Sequence, residues 1–211
     1  MTRRSQGKLA APGLTVRPGA HVALLYGEPS VMAEVIEYVA TGIHAQERCA
    51  VLAYSRLNER FAAQLRDLHG VDVRAAVAGG SLAFLDGKAS ARELRAELAR
   101  FLSEAPRARG SARLVLSLGF GEPAWPDDDE LLRFETSLGE LCHEHKAAAL
   151  CLYDARQLAG SLILDGALAC HPWVIYRGQT HANPFVVEPQ QLQRELASRR
   201  RTEGALKAWM S

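Results

Sequence analysis

No apolar run among the 211 residues approaches the roughly 20 that a membrane-spanning helix requires. Residues 1–6 carry two arginines with no apolar stretch behind them, so no secretory signal is expected there. Cysteine is scarce: Cys49, Cys142, Cys151 and Cys170 are scattered, and at least two lie in apolar runs. That pattern fits reduced, buried thiols in the cytoplasm and not a disulfide framework. Charge is nearly balanced, at a formal +1, which argues against a direct nucleic-acid partner. Catalytic signatures are missing too. The segment from Gly27 reads Gly-Glu-Pro-Ser-Val-Met-Ala-Glu. It lacks the second glycine and the lysine of a phosphate-binding loop, and Glu28 would repel a phosphate. Gly87-Lys88 has the wrong upstream spacing and is followed by alanine. Without a Gly-x-Ser-x-Gly elbow there is no nucleophile motif for acyl transfer. The chain is therefore expected not to be an enzyme. No internal repeat or low-complexity block is present.

What the chain does contain is apolar strand alternating with amphipathic helix, with hydrophobic residues at 48%. Residues 147–154, Ala-Ala-Ala-Leu-Cys-Leu-Tyr-Asp, fit a strand buried on both faces at the centre of a parallel sheet. Similar runs occur at 21–26, 49–53, 113–118 and 173–176. Short extended pieces are expected at 71–77 and 81–85, and another at 184–187. Helices are expected at 31–44, with Ser30 as cap, at 57–68, from Ser90 to about 102, at about 127–146 and at about 155–169. The alternation predicts an α/β fold of three layers, a mostly parallel sheet with helices on both faces. Residues 1–17 read as a loose leader, 18–188 as the domain and 189–211 as a C-terminal helix.

Open sheets of this kind bind ligands at the carboxyl ends of their strands. Tyr26 and Glu28 follow the first strand, Tyr54 and Ser55 the second, Glu122 and Trp125 the fourth, Tyr153 and Asp154 the central one. His171 falls at the same end, where two readings stand: a pair with Asp154, or a ring that only satisfies a buried backbone group. Aromatic walls with a few acids suit a small neutral or cationic organic ligand. An enzyme using Asp154 and His171 is the lesser alternative, since Asp154 equally suits a helix cap. Cys142, His143 and His145 suggest a metal, but no second ligand pair stands at matching spacing, so no metal or cofactor is expected. In the tail, Leu192, Leu196, Leu206 and Met210 recur at coiled-coil spacing, broken by Arg199 and Glu203. A signalling helix, a dimer seam and a helix packed back on its own domain all fit that stripe.

Several segments together resemble the MEDS domain, the sensory domain of methanogen and methylotroph regulators and of the dichloromethane-responsive repressor. They are His21-Val-Ala-Leu-Leu-Tyr, Gly121-Glu122 with Trp125, Phe134-Glu135, Cys151-Leu-Tyr-Asp154, His171-Pro172, and Gly178 with Asn183-Pro184. The resemblance spans about residues 21–188. It implies a RecA- or KaiC-like fold with an eroded nucleotide loop, and sensing of a small hydrocarbon derivative in a bacterial or archaeal regulator. It further implies an output partner such as a kinase or regulator, reached through the C-terminal helix; a second copy of the chain is a candidate partner. Pro123 replaces a methionine often found after Gly-Glu, and alanine precedes Trp125, which points to a stiffer loop and a different ligand. No helix-turn-helix is expected in the leader or tail. A degenerate nucleotide binder is the alternative.

Overall fold

Seven strands form a single sheet in the order β3-β2-β4-β5-β1-β6-β7. They are β1 (His21–Tyr26), β2 (Cys49–Ala53), β3 (Leu82–Asp86), β4 (Arg113–Leu116), β5 (Ala148–Asp154), β6 (Trp173–Tyr176) and β7 (Gln179–Ala182). The computed structural model describes residues 14–87, 90–104, 112–117, 128–158, 160, 162–188 and eight positions between 191 and 209. All strand pairs are parallel except β6 with β7. The α/β reading with a mostly parallel sheet thus holds.

Each face of the sheet is covered. Helices α1 (Val31–His44), α2 (Ser55–His69) and α3 (Val73–Ala78) lie on one side, where Val35, Val39, Phe61, Leu65 and Ala76 meet Val22, Leu24, Leu150 and Leu152. Helices α4 (Ala91–Ser103), α5 (Asp128–His145) and a π-helix (Leu162–Leu168) cover the other. There Leu94, Leu98, Leu138 and Ala167 meet Ala23, Ala149, Cys151 and Tyr153. Alternation along β1 and β5 sorts side chains between the two cores, because successive Cβ atoms point to opposite faces. All seven residues of β5 are buried, as expected for a strand covered on both sides.

Local chemistry explains where sequence expectations succeed and fail. Ser90 forms a capping box with Glu93 at the start of α4. Ser30, by contrast, is itself helical and makes no side-chain cap. Residues 73–78 are a helix and not an extended piece, because the Asp72 carboxylate accepts the Ala75 N–H at 3.0 Å. The last strand is β7 at Gln179–Ala182, not 184–187. Arg177 and Gly178, with φ of 49° and 72°, make the two-residue turn that returns it antiparallel to β6. The helix expected at about 155–169 starts as a turn and then runs as the π-helix. In the tail the described positions are helical, and Leu206 is exposed; Leu192, Leu196 and Met210 lie outside the described residues.

Candidate functional site

Two distinct places in the fold gather polar chemistry. The first is a cavity of about 560 Å³ over the carboxyl ends of β1, β2, β4 and β5. Tyr26, Tyr54, Ser117 and Asp154 reach it from those strands. Tyr26 and Asp154 are register partners across β1 and β5, so both arrive on the same face. Helix α2 supplies a second wall: Arg56, Arg60 and Gln64, spaced by four, lie along one side of it. Met32, Ile36, Leu57 and Phe61 form its apolar part. Asp154 receives Arg156 through two guanidinium nitrogens at 2.9 and 2.6 Å and the Gln157 amide at 2.9 Å. Hydrogen bonding by Arg156 holds the Asp154 carboxyl below its usual range, against the opposing effect of burial. Among the described residues neither Arg56 nor Arg60 makes an ion pair, so the α2 wall presents two free cations.

The second place lies on the opposite face, beneath α5 and the π-helix. Glu135 is 2% exposed and sits on the inward stripe of α5 with Leu131, Leu138 and Cys142. Its Oε2 is 3.0 Å from His21 Nε2, 3.2 Å from Cys151 Sγ and 3.5 Å from His171 Nε2. Its Oε1 accepts the Tyr153 hydroxyl at 2.9 Å. Cys151 Sγ is also 3.4 Å from His21 Nε2. His171 is fully buried, and its Nδ1 donates to the carbonyls of Gly166 and Ala167 at 3.2 and 3.0 Å. The two imidazole rings stand 3.9 Å apart.

Burial dominates the electrostatics here. It pulls His21 down to about 4, helped by the nearby charge of His171, while Glu135 and the Cys170 backbone act in the other direction. Burial alone would raise the Glu135 carboxyl, but the nearby charge of His171 and the hydrogen bond with His21 outweigh it and hold the acid ionised. The Cys151 thiol and the Tyr153 phenol are pushed well up by burial and then by the Glu135 charge. Nδ1 of His21 and Nε2 of His171 are buried without a hydrogen-bond partner among the described residues.

Comparison with known families identifies the domain. The model of the MEthanogen/methylotroph, DcmR Sensory domain (MEDS) matches residues 20–172. The chain belongs to the MEDS family. No curated protein matches it. Membership gives this MEDS domain a sensory, regulatory role. None of its described helices is long and apolar enough to cross a membrane.

The MEDS domain splits the residues read from sequence as one site. Tyr26, Tyr54 and Asp154 line the strand-end cavity, whereas Glu28 is exposed and outside its lining. Glu122 and Trp125 lie outside the described residues. Tyr153 and His171 belong to the buried cluster on the other face. The Asp154–His171 pair does not form, because Tyr153 and Asp154 are neighbours in a strand and must point to opposite sides. Asp154 pairs with Arg156 instead, and His171 faces Glu135. Sequence reasoning missed Arg56, Arg60 and the role of Glu135. An acid on the apolar stripe of α5 was the available signal for the latter. His21, Glu135, Cys151 and His171 each sit in one of the segments that carry the family resemblance, yet nothing in their spacing shows that they converge.

Proposed function

We propose that this domain senses a small organic molecule with an apolar body and an anionic head, bound in the strand-end cavity. The observation that carries the reading is the composition of that cavity: two arginines without an ion pair among the described residues, together with the apolar side chains of Met32, Ile36, Leu57 and Phe61. Its volume of about 560 Å³ is in the range of small-molecule sites. The arginines turn the ligand class from neutral or cationic towards anionic, since each can donate two parallel hydrogen bonds to a carboxylate. The site is non-catalytic in this reading. Asp154 is tied to Arg156 and Gln157, and no acid–histidine pair among the described residues faces the cavity. The sheet is of the RecA/KaiC kind with its phosphate loop lost, which fits the turn at residues 27–30 and the absence there of a lysine. Occupancy is passed to a kinase or regulator through the C-terminal helix.

Thermal shift and calorimetry with short-chain carboxylic acids, the matching amines and alcohols, and nucleotides test the proposal. A ligand that binds only the folded state raises its melting temperature. Acids should bind, and Arg60→Ala should weaken them by about 10-fold, the value of one charge-assisted hydrogen bond. Binding of amines but not acids refutes the reading. Preferential binding of nucleotides would instead favour a degenerate nucleotide site.

A further inference from the structure

The buried cluster has a donor geometry that a hydrogen-bonded network does not need. His21 Nε2, a Glu135 oxygen, Cys151 Sγ and a His171 ring nitrogen all lie within 4.8 Å of one another. Four of their separations are 3.0, 3.2, 3.4 and 3.5 Å. Bonds of about 2.0–2.3 Å to a tetrahedral ion place ligand atoms about 3.3–3.8 Å apart, so the four atoms are nearly at coordination spacing. The histidine and the carboxylate are also held from behind. Two π-helix carbonyls take the Nδ1 proton of His171 and thereby direct the Nε2 lone pair into the cluster. The Tyr153 hydroxyl fixes the Glu135 oxygen on the far side. Backing of this kind is what metal-ligating histidines and carboxylates show.

Charge balance adds a second argument. His171 Nε2 lies 3.5 Å from a Glu135 oxygen and has no hydrogen-bond partner among the described residues, an arrangement that a cation between the two atoms would satisfy. A dication neutralised by one carboxylate and one thiolate leaves no net charge in the protein interior. We propose that His21, Glu135, Cys151 and His171 bind one divalent, borderline-soft first-row metal ion, with Zn²⁺ the best fit. Hard ions such as Mg²⁺ and Ca²⁺ want six or more oxygens, and here a single carboxylate is present among the four ligands. Binding forms the metal–sulfur bond and releases the Cys151 proton to solvent; His21 carries its own proton on Nδ1 in the bound state. Four protein ligands close the shell, as in structural sites. The ion joins α5, β1, β5 and the segment after the π-helix at one point. Access runs from a cavity of about 320 Å³ at the amino-terminal end of β1, lined by His21, Thr136, Gly139, His143 and Cys170. A side chain at Gly139 would close it, since a Cβ there would stand 3.3 Å from His21 Nδ1.

The site is independent of the strand-end cavity, and so is its test. The full chain is stripped with chelator and titrated with Co²⁺, which reports thiolate ligation by charge-transfer absorption and tetrahedral geometry by intense visible bands. One Co²⁺ per chain is expected, displaced by Zn²⁺, with a higher melting temperature in the loaded protein. Cys151→Ser should abolish the charge-transfer band, while Cys142→Ser, a buried thiol outside the four ligands, should keep it. Tyr153→Phe, which leaves all four ligands in place, should weaken binding about 10- to 100-fold, and it keeps the test decisive if Cys151→Ser does not fold. No binding by the wild type, a band that survives Cys151→Ser, or an affinity unchanged in Tyr153→Phe overturns the proposal.

Discussion

Removing the Tyr153 hydroxyl isolates the electrostatic state of the buried cluster. In Tyr153→Phe the ring stays in place and the 2.9 Å hydrogen bond to Glu135 Oε1 is lost. Both residues are at most 2% exposed, so water cannot replace the donor. A hydrogen bond to a neutral acceptor contributes about 1 kcal/mol and one to a charged acceptor about 1.5–3 kcal/mol. Because His171 and His21 hold Glu135 ionised, the charged value applies, and we expect a loss of about 2 kcal/mol. For a chain of this size that corresponds to a fall of about 4–8 °C in Tm. Urea unfolding of chelator-treated protein at neutral pH, with an unchanged m-value, measures the difference. The same substitution in a Glu135→Gln background should cost only about 1 kcal/mol, since the acceptor is then neutral. Equal losses in both backgrounds, or a loss in the wild-type background below about 0.5 kcal/mol, refute an ionised Glu135.

Two further outcomes test the rest of the fold. Asp154→Asn breaks the ionic contact with Arg156 and should lower stability at pH 7 only modestly, because solvent around the half-exposed guanidinium screens the pair. The carboxyl is depressed in the folded state, so its contribution is present above the unfolded value of about 3.9 and is lost as pH falls through the lower folded value. The difference in stability between the Asp154→Asn variant and the wild type should therefore shrink below about pH 4; a constant difference would mean that charge plays no part. Asp72→Ala removes the cap of α3 and should destabilise by about 1 kcal/mol. Hydrogen exchange of residues 75–78 should speed up in that variant, and unchanged protection would show that packing of Ala76 alone holds the helix.

The sequence by itself determined the layers of this protein. Apolar runs such as residues 147–154 are too continuous for a half-exposed strand, and the helical stripes between them require a covered sheet on each side. The missing lysine after the first strand, the helix start at Ser90 and the strand-end positions of Tyr26, Tyr54 and Asp154 were legible for the same reason: each is a local pattern with a local physical cause. Short-range signals were also present where the reading went astray, in Asp72 ahead of α3 and in Arg177-Gly178 between β6 and β7. Tertiary structure alone decided which side chains meet. The direction in which a residue points depends on the parity of its strand, and whether two parities coincide depends on register. Register put Tyr26 beside Asp154 and Ala23 beside Cys151, sending one group to the α2 face and the other to the α5 face. His21, Glu135, Cys151 and His171 are separated by up to 150 residues of chain. Their convergence comes from the crossing of α5 and the π-helix over β1 and β5, and no spacing in the sequence encodes that crossing.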